Sequence, residues 1–467
     1  MALTGSEPAP ASPRRALADR VRDRVTALLK SEHNLTQRLA GTVFLLRVAA
    51  AILAYGSQIL FARWMGTFEF GVYVYVWTWV LLLGSAADFG IATAAQRFIP
   101  QYRDHKAWNL VRGFVSGSRW FAFGAGALCG LIGAGLVRLL QPWLDDFTVI
   151  PLYLACLTLP AYALAGIQDS ISRAYDWMGL GIISSYIVRQ LLLTALMAAA
   201  FFGGYPTDAT SIMIMAIVAT WVTTFGQFAV LNQRLSKVVE RGPSAYDMKL
   251  WISTSLPILM VEGFYLILSY TDVLVLQQFV SPEEVAIYYA AAKTLALVAF
   301  INFAVGAVAT HRYASYYFGH DHDGLRQFLA QSIRWIFWPS LAMILAMLVV
   351  GKPMLNLFGP DFDRGYHLMF IMAFGLLARA SVGPVERLLN VLGQQRICAS
   401  IYLFAFVINL ALCLILIPRM GSLGAAIAIS TALISESVML FFVTKRRLGL
   451  HVFIFGAPKV IKASQPG

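Results

Sequence analysis

The stretch Ile59–Tyr75, ILFARWMGTFEFGVYVY, returns 215 positions later in degraded form as Leu274–Ala290, LVLQQFVSPEEVAIYYA. Glu69 matches Glu284 and Tyr73 matches Tyr288, while Phe70, Gly71 and Val72 become Val285, Ala286 and Ile287. Each copy closes one apolar run, turns through a short polar loop and opens another. A second echo aligns ISRAYDWMG (Ile171–Gly179) with VERLLNVLG (Val385–Gly393), Arg173 with Arg387 and Gly179 with Gly393, at a shift of 214. Two echoes at nearly one spacing indicate a chain built twice, a feature that constrains the fold before any single element does.

Of the 467 residues 59% are apolar and only 13% charged, against about 25% charged in soluble domains. About 20 apolar residues suffice to cross a bilayer. Twelve such runs occur, near 40–61, 71–95, 119–140, 149–168, 179–203, 210–232, 251–276, 285–309, 333–351, 366–385, 397–418 and 422–444. The net charge of +12 would suggest nucleic acid in a soluble chain, but its placement points to a membrane instead. With both termini in the cytoplasm, 27 of the 36 Lys and Arg fall on that side, as the positive-inside tendency of short loops requires. Nucleic acid is therefore not an expected partner.

The expected organisation is a basic N-terminal segment (1–39), six spans (40–232), a cytoplasmic linker (233–250), six more spans (251–447) and a cytoplasmic tail (448–467). Val21, Val25, Leu28, Leu29 and Leu35 recur at helical intervals among basic residues, suggesting a helix on the inner leaflet over 14–39. Cys129, Cys156, Cys398 and Cys413 sit in or at the edge of apolar spans and read as small core residues. GHDHDG (Gly319–Gly324) offers His and Asp, but a solvated loop accounts for it; no metal and no cofactor is expected. Six spans per half, in one orientation, predict two parallel repeats related by an axis along the membrane normal, with a path between them.

The order ARWMGTFEFGVYVYV, ADFGIATAAQRF (Ala87–Phe98) and SYTDVLVLQQFVSPEEVAIYYAAAKTL (Ser269–Leu295) resembles the polysaccharide (O-antigen and exopolysaccharide) flippase branch of the multidrug, oligosaccharidyl-lipid and polysaccharide exporter superfamily. The resemblance covers residues 40 to 447. It implies an all-α polytopic membrane protein, twelve transmembrane helices in two six-helix lobes around a central cavity, working by alternating access. For this branch it implies transfer of an undecaprenyl-pyrophosphate-linked oligosaccharide across a bacterial inner membrane, for lipopolysaccharide or exopolysaccharide synthesis, with membrane lipids, a polymerase and export machinery as partners.

Charges inside spans mark the candidate site, because each costs about 2.5–3.5 kcal/mol near the bilayer centre unless it faces a cavity or a partner. Arg47 enters the first run and shares a stripe with Ala51, Ala54, Tyr55 and Gln58. The 215 shift takes Arg47 to Glu262, which heads a stripe of Tyr265, Ser269 and Asp272. Lys293 follows Tyr289 by one turn; Arg189 follows Ser185; Arg379 shares a face with Glu386. The cations Arg47, Arg189, Lys293 and Arg379 suit an anionic substrate such as a pyrophosphate. Tyr55, Gln58, Tyr265 and Tyr289 are candidate sugar contacts, and Glu262 and Asp272 candidate sites for a coupled proton or sodium ion. Structural roles compete: Arg379 with Glu386, or Arg47 with Glu262, would tie helices as ion pairs, and Arg189 could snorkel to the surface. Asp88 is expected to pair with Arg97 or cap a neighbouring helix.

Two other classes are open. A cation-coupled multidrug exporter of the same superfamily calls for an acidic or neutral cavity. A multispanning enzyme acting on lipid-linked sugars calls for a larger outer loop than any here, and there is no phosphate-cradling Gly-rich motif.

Overall fold

In lipid every backbone amide must be satisfied within its own segment, so apolar runs of this length fold as helices. The computed structural model describes residues 32–455, and among them there is no strand. Twelve helical segments are long and apolar enough to cross a membrane: Gly41–Met65, Thr67–Asp104, Trp108–Trp143, Asp146–Ala174, Met178–Phe202, Ala209–Val238, Met248–Leu276, Pro282–Gly306, His322–Asn356, Pro360–Val382, Gln395–Met420 and Ser422–Leu448, numbered here as spans one to twelve. The expected basic helix over 14–39 lies largely outside the described residues.

Several helices outrun their apolar stretches. The polar segment expected between the second and third spans shrinks to residues 105–107. Helix Ile91–Asp104 carries it instead, burying Ile91, Ala95, Phe98 and Tyr102 and exposing Gln96, Arg97 and Gln101. Average hydropathy misses such an amphipathic helix, since only one face needs to be apolar. GHDHDG is likewise not a free loop: Asp321 accepts from the Gly324 amide at 2.8 Å and caps the ninth span. The tail does not leave the fold at 448, because Leu450, Val452 and Ile454 are buried and the Ile454 amide bonds Ser381 O at 3.1 Å.

The duplication is visible in local structure. The second span breaks at Ala87–Gly90, where Phe89 and Gly90 take φ of 52° and 76°; the eighth breaks at Leu297–Val298. Asp88 neither pairs with Arg97 nor caps a neighbour: its Oδ1 accepts from the Gly90 amide at 2.8 Å, closing its own break. Glu69 accepts from the Ala209 amide at 2.8 Å, at the start of the sixth span. Glu284 stands beside Gly421, at the start of the twelfth. Both repeated glutamates thus place an anion at a helix N-terminus, where exposed amides and the helix dipole favour it. The second echo holds less well. The left-handed residue of the turn is Asp176 (φ 58°) in one half and Gly393 (φ 71°) in the other, 217 positions apart. The tenth span ends before Gly383 (φ 68°) and Pro384, and a separate short helix, Val385–Val391, follows it, so Arg387 sits on that helix whereas Arg173 lies within the fourth span.

The halves meet at both ends. At the end carrying the 66 and 281 turns, Gly71 packs so closely on the eighth span that a Cβ there would lie 1.8 Å from Pro282 O. Around this point Tyr55 bonds Thr294 at 2.9 Å, Gln278 donates to Tyr75 at 3.2 Å, and Phe70 packs against Tyr289, Phe358 and Phe362. Arg63 adds a 3.3 Å bond to Asn356 O. Toward the 239–247 linker, Trp251 donates to Tyr102 at 2.9 Å across the second and seventh spans.

Candidate functional site

The break at Ala87–Gly90 opens a polar cavity of ≈ 220 Å³ on the linker side of that seal, bounded by the second, fourth, fifth, sixth and seventh spans. Its charged lining is Asp88, Asp169, Arg173, Arg189 and Glu262. Each carboxylate is satisfied by neutral donors. Asp169 accepts from Ser185 Oγ at 2.9 Å and Gln227 Nε2 at 2.7 Å, and Glu262 from Thr93 Oγ1 at 3.0 and 3.1 Å. The arginines are held loosely. Arg173 donates one bond to Ser170 Oγ, 2.6 Å, and its Nε is buried without a partner. Arg189 donates to Ser185 O, 3.1 Å, and lies over Trp77 and Tyr162 at 5.2 and 5.8 Å. A π-helical turn over Ile183–Val188 immediately precedes it; such turns re-aim side chains and frequently mark functional sites.

Across the first and eighth spans a second cavity of ≈ 380 Å³ is lined by Arg47, Ala50, Ala51 and Ala54 facing Phe300 and Phe303. The small residues of the Arg47 stripe make this room. Arg47 rests on the Phe303 ring at 4.6 Å, and its Nε is buried without a partner. Lys293 stands over the Tyr289 ring at 5.0 Å. Neither Arg47, Arg173, Arg189 nor Lys293 forms an ion pair with any described residue. At 1.5 Å per helical residue they stand about 27, 40, 20 and 16 Å from the sealed ends of their helices. Arg47, Arg173 and Arg189 line the two cavities as a ladder of half-buried cations from the linker side toward the middle, and Lys293, half-buried nearer the sealed end, lines neither.

The other sequence candidates are committed elsewhere. Arg379 is not a free cation: its Nη2 lies 3.2 Å from Glu386 Oε2 and its Nε 3.7 Å from Glu436 Oε1. Two carboxylates around one guanidinium leave no charge over for a substrate anion. Tyr402 donates to Glu386 at 2.8 Å, and Tyr265 packs on both Tyr402 and Arg379. Asp272 is buried and accepts from the Tyr288 hydroxyl and from the Val273 amide at 2.9 Å. Glu262 is not paired with Arg47; Thr93 holds it instead. Tyr55 and Tyr289 belong to the sealed end, and Gln58 lies beside the Tyr73 hydroxyl. In this conformation these three do not line either cavity.

Arg173, Asp169 and Glu436 escaped the sequence reading. Arg173 and Asp169 lie at the end of an apolar run, where a short loop was expected. Glu436 had a plain signal, a carboxylate in the middle of the twelfth apolar run, and it is fully buried.

Twelve spans in two halves around a charged cleft are the architecture of a membrane transporter. The chain belongs to the family described as Polysaccharide biosynthesis protein, whose profile matches residues 39–310; a second profile, MatE, matches 257–415. Both place it in the multidrug, oligosaccharidyl-lipid and polysaccharide exporter superfamily, a family of transporters and not of enzymes. An uncharacterized membrane protein of Methanocaldococcus jannaschii is 24% identical over 409 residues, 81% of this chain and 78% of that one. Among solved structures, a multidrug resistance MATE family transporter in an inward-facing conformation superposes with a TM-score of 0.69 at 13% identity, covering 87% of this chain and 94% of that one. The lipid II flippase MurJ in an inward closed conformation gives 0.70 at 14%, covering 86% and 87%. At these identities the likeness is one of fold.

Proposed function

We propose that this protein is a flippase that carries an undecaprenyl-pyrophosphate-linked oligosaccharide from the inner to the outer leaflet of a bacterial inner membrane, with both termini in the cytoplasm. The observation that carries this reading is the state of the charges in the cleft. Its carboxylates Asp88, Asp169 and Glu262 are satisfied by hydroxyl, amide and backbone donors, whereas Arg47, Arg173 and Arg189 in it, and Lys293 beside Tyr289, have no ion-pair partner among the described residues. A pyrophosphate supplies the missing acceptors: guanidinium groups bind its oxygens through two parallel bonds and the ammonium as a point charge. The ladder leads that anion from the cytoplasmic mouth to mid-membrane, while the polyprenyl chain stays in lipid. The sealed end then corresponds to the closed outer gate of an inward-facing state, and opening it releases the sugars outside.

The competing reading, an ion-coupled multidrug exporter, is favoured by Glu262, which is exposed to the cleft and could meet a cationic drug. A deletion strain separates the two. Its surface polysaccharide and its inner-leaflet lipid-linked oligosaccharide are measured after complementation with wild type, Arg47→Ala, Arg189→Ala or Lys293→Ala. The flippase reading expects lost polymer and accumulated precursor, rescued by wild type and not by the variants at equal protein level. Normal polysaccharide with new sensitivity to cationic drugs overturns it.

A further inference from the structure

A further cavity, ≈ 590 Å³, belongs to neither part of the central cleft. It is a groove on the outer face of the first half, between the third and sixth spans and under the linker. The sixth span has two working faces. Thr220, Thr223, Thr224 and Gln227 line the central polar cavity, while Trp221, Phe225, Phe228 and Asn232 turn the other way into the groove. The groove walls are apolar and turned toward lipid: Trp120 is 72% and Phe225 56% exposed. At its base lies Arg119, only 8% exposed. It donates to Asn232 Oδ1 at 2.6 Å and rests on the Phe228 ring at 4.8 Å, and its Nε and Nη2 are buried without partners. Two nitrogens of a buried cation, with three N–H donors between them, thus await acceptors in a cleft with a hydrocarbon-like wall.

About 10 Å nearer the linker, one and a half to two turns along the third span, Arg112 sits at the rim with Arg241. Glu240 is the one carboxylate among the lining residues. Arg112 is fixed by Glu240 O and Pro243 O at 2.7 and 2.9 Å, so the linker itself closes the rim. Three arginines against one glutamate select an anion, and the aromatic wall selects an acyl chain; one molecule of the surrounding membrane carries both. We propose that the groove is a binding site for an anionic glycerophospholipid. Its phosphate bonds Arg119 under the rim arginines, and one acyl chain lies along Trp120, Phe123 and Trp221. The inference is independent of the transported substrate, from which the sixth span separates the groove. Because that span borders both spaces, the bound lipid braces one wall of the cleft.

The test uses the purified full chain in nanodiscs of phosphatidylglycerol or phosphatidylcholine, extracted gently and examined by native mass spectrometry. Wild type is expected to retain phosphatidylglycerol over phosphatidylcholine, and Arg119→Gln to lose about tenfold or more of that retention, as removal of charged hydrogen bonds implies. A second arm leaves Arg119 in place: brominated phosphatidylglycerol should quench wild-type tryptophan fluorescence beyond brominated phosphatidylcholine, and Trp120→Phe combined with Trp221→Phe should remove most of the excess. Equal retention of both lipids by wild type, or full retention by a folded Arg119→Gln, overturns the proposal.

Discussion

Gly71→Ala tests the sealed end most directly. The added Cβ would stand 1.8 Å from Pro282 O, 2.5 Å from its carbonyl carbon and 3.0 Å from its Cα, whereas real Cβ atoms essentially never come within 3.0 Å of a neighbour. All three atoms are backbone at the first turn of the eighth span, so no side chain can rotate away. The second and eighth spans must part by at least 1.2 Å. Overpacking of this kind costs about 1–3 kcal/mol. The penalty falls only on the conformation in which these spans touch, so the equilibrium moves toward the state open at this end. At 1.36 kcal/mol per factor of ten, the open population rises by about 5- to 150-fold. Thr294, fully buried under Tyr55, is the reporter. With the four native cysteines replaced, Thr294→Cys should react with a maleimide in detergent faster by that factor when Gly71→Ala is added. An unchanged rate in a folded double variant would show that the contact relaxes locally and does not govern the gate.

Arg379→Gln should destabilise the protein by about 3–5 kcal/mol, since it strands Glu386 and Glu436 in the interior; adding Glu436→Gln should recover part of the loss, and thermal unfolding of the purified variants would reveal an absence of coupling. Glu69→Ala removes an acceptor at the start of the sixth span and should cost about 1 kcal/mol, read as a lowered unfolding midpoint. Tyr288→Phe, which takes a donor from the buried carboxylate of Asp272, should cost about 1–3 kcal/mol. Tyr73→Phe, beside the amide of Gln58, should cost less, and equal losses would contradict that distinction.

The sequence carried the membrane class, the twelve spans and the doubling, because lipid demands long apolar helices and a repeat survives as paired residues such as Glu69 and Glu284. Helix ends and breaks were less legible. Ile91–Asp104 needs only one apolar face, so hydropathy passed over it, and ADFG reads as the end of a span until Asp88 is seen closing a turn inside one. Most charges inside the spans announced themselves, and Arg379 announced one partner, Glu386, but Asp169 and Glu436 went unread. Arg379 and Arg189 look alike along the chain; a packed neighbour, Glu436 on the twelfth span, comes within ion-pair distance of the first, whereas Asp169, in the same cavity as the second, is engaged by Ser185 and Gln227 instead. Partner identity depends on which helices touch, and spacing along the sequence does not encode that between remote spans.

The two halves have kept different things. Glu69 and Glu284 still hold helix starts, and Tyr73 and Tyr288 still occupy matching buried places, so the shared residues are those of the scaffold. The charges have parted. Arg47 touches Phe303 across the first and eighth spans, while its counterpart Glu262 touches Thr93 across the second and seventh; Gln58 lies beside Tyr73 where Asp272 takes the bond of Tyr288. A symmetric cleft would present the same charge to both sides of its cargo, and this one does not. Arg47, Arg173 and Arg189 lie on the first half with Lys293 opposite, whereas on the second half Arg379 is tied to two carboxylates and Arg387 keeps a buried Nε without a partner. On the proposed reading, the duplicated scaffold would supply the rocking and the asymmetry a single anion-binding track along one wall, suited to a cargo that is charged at one point and neutral over the rest of its length.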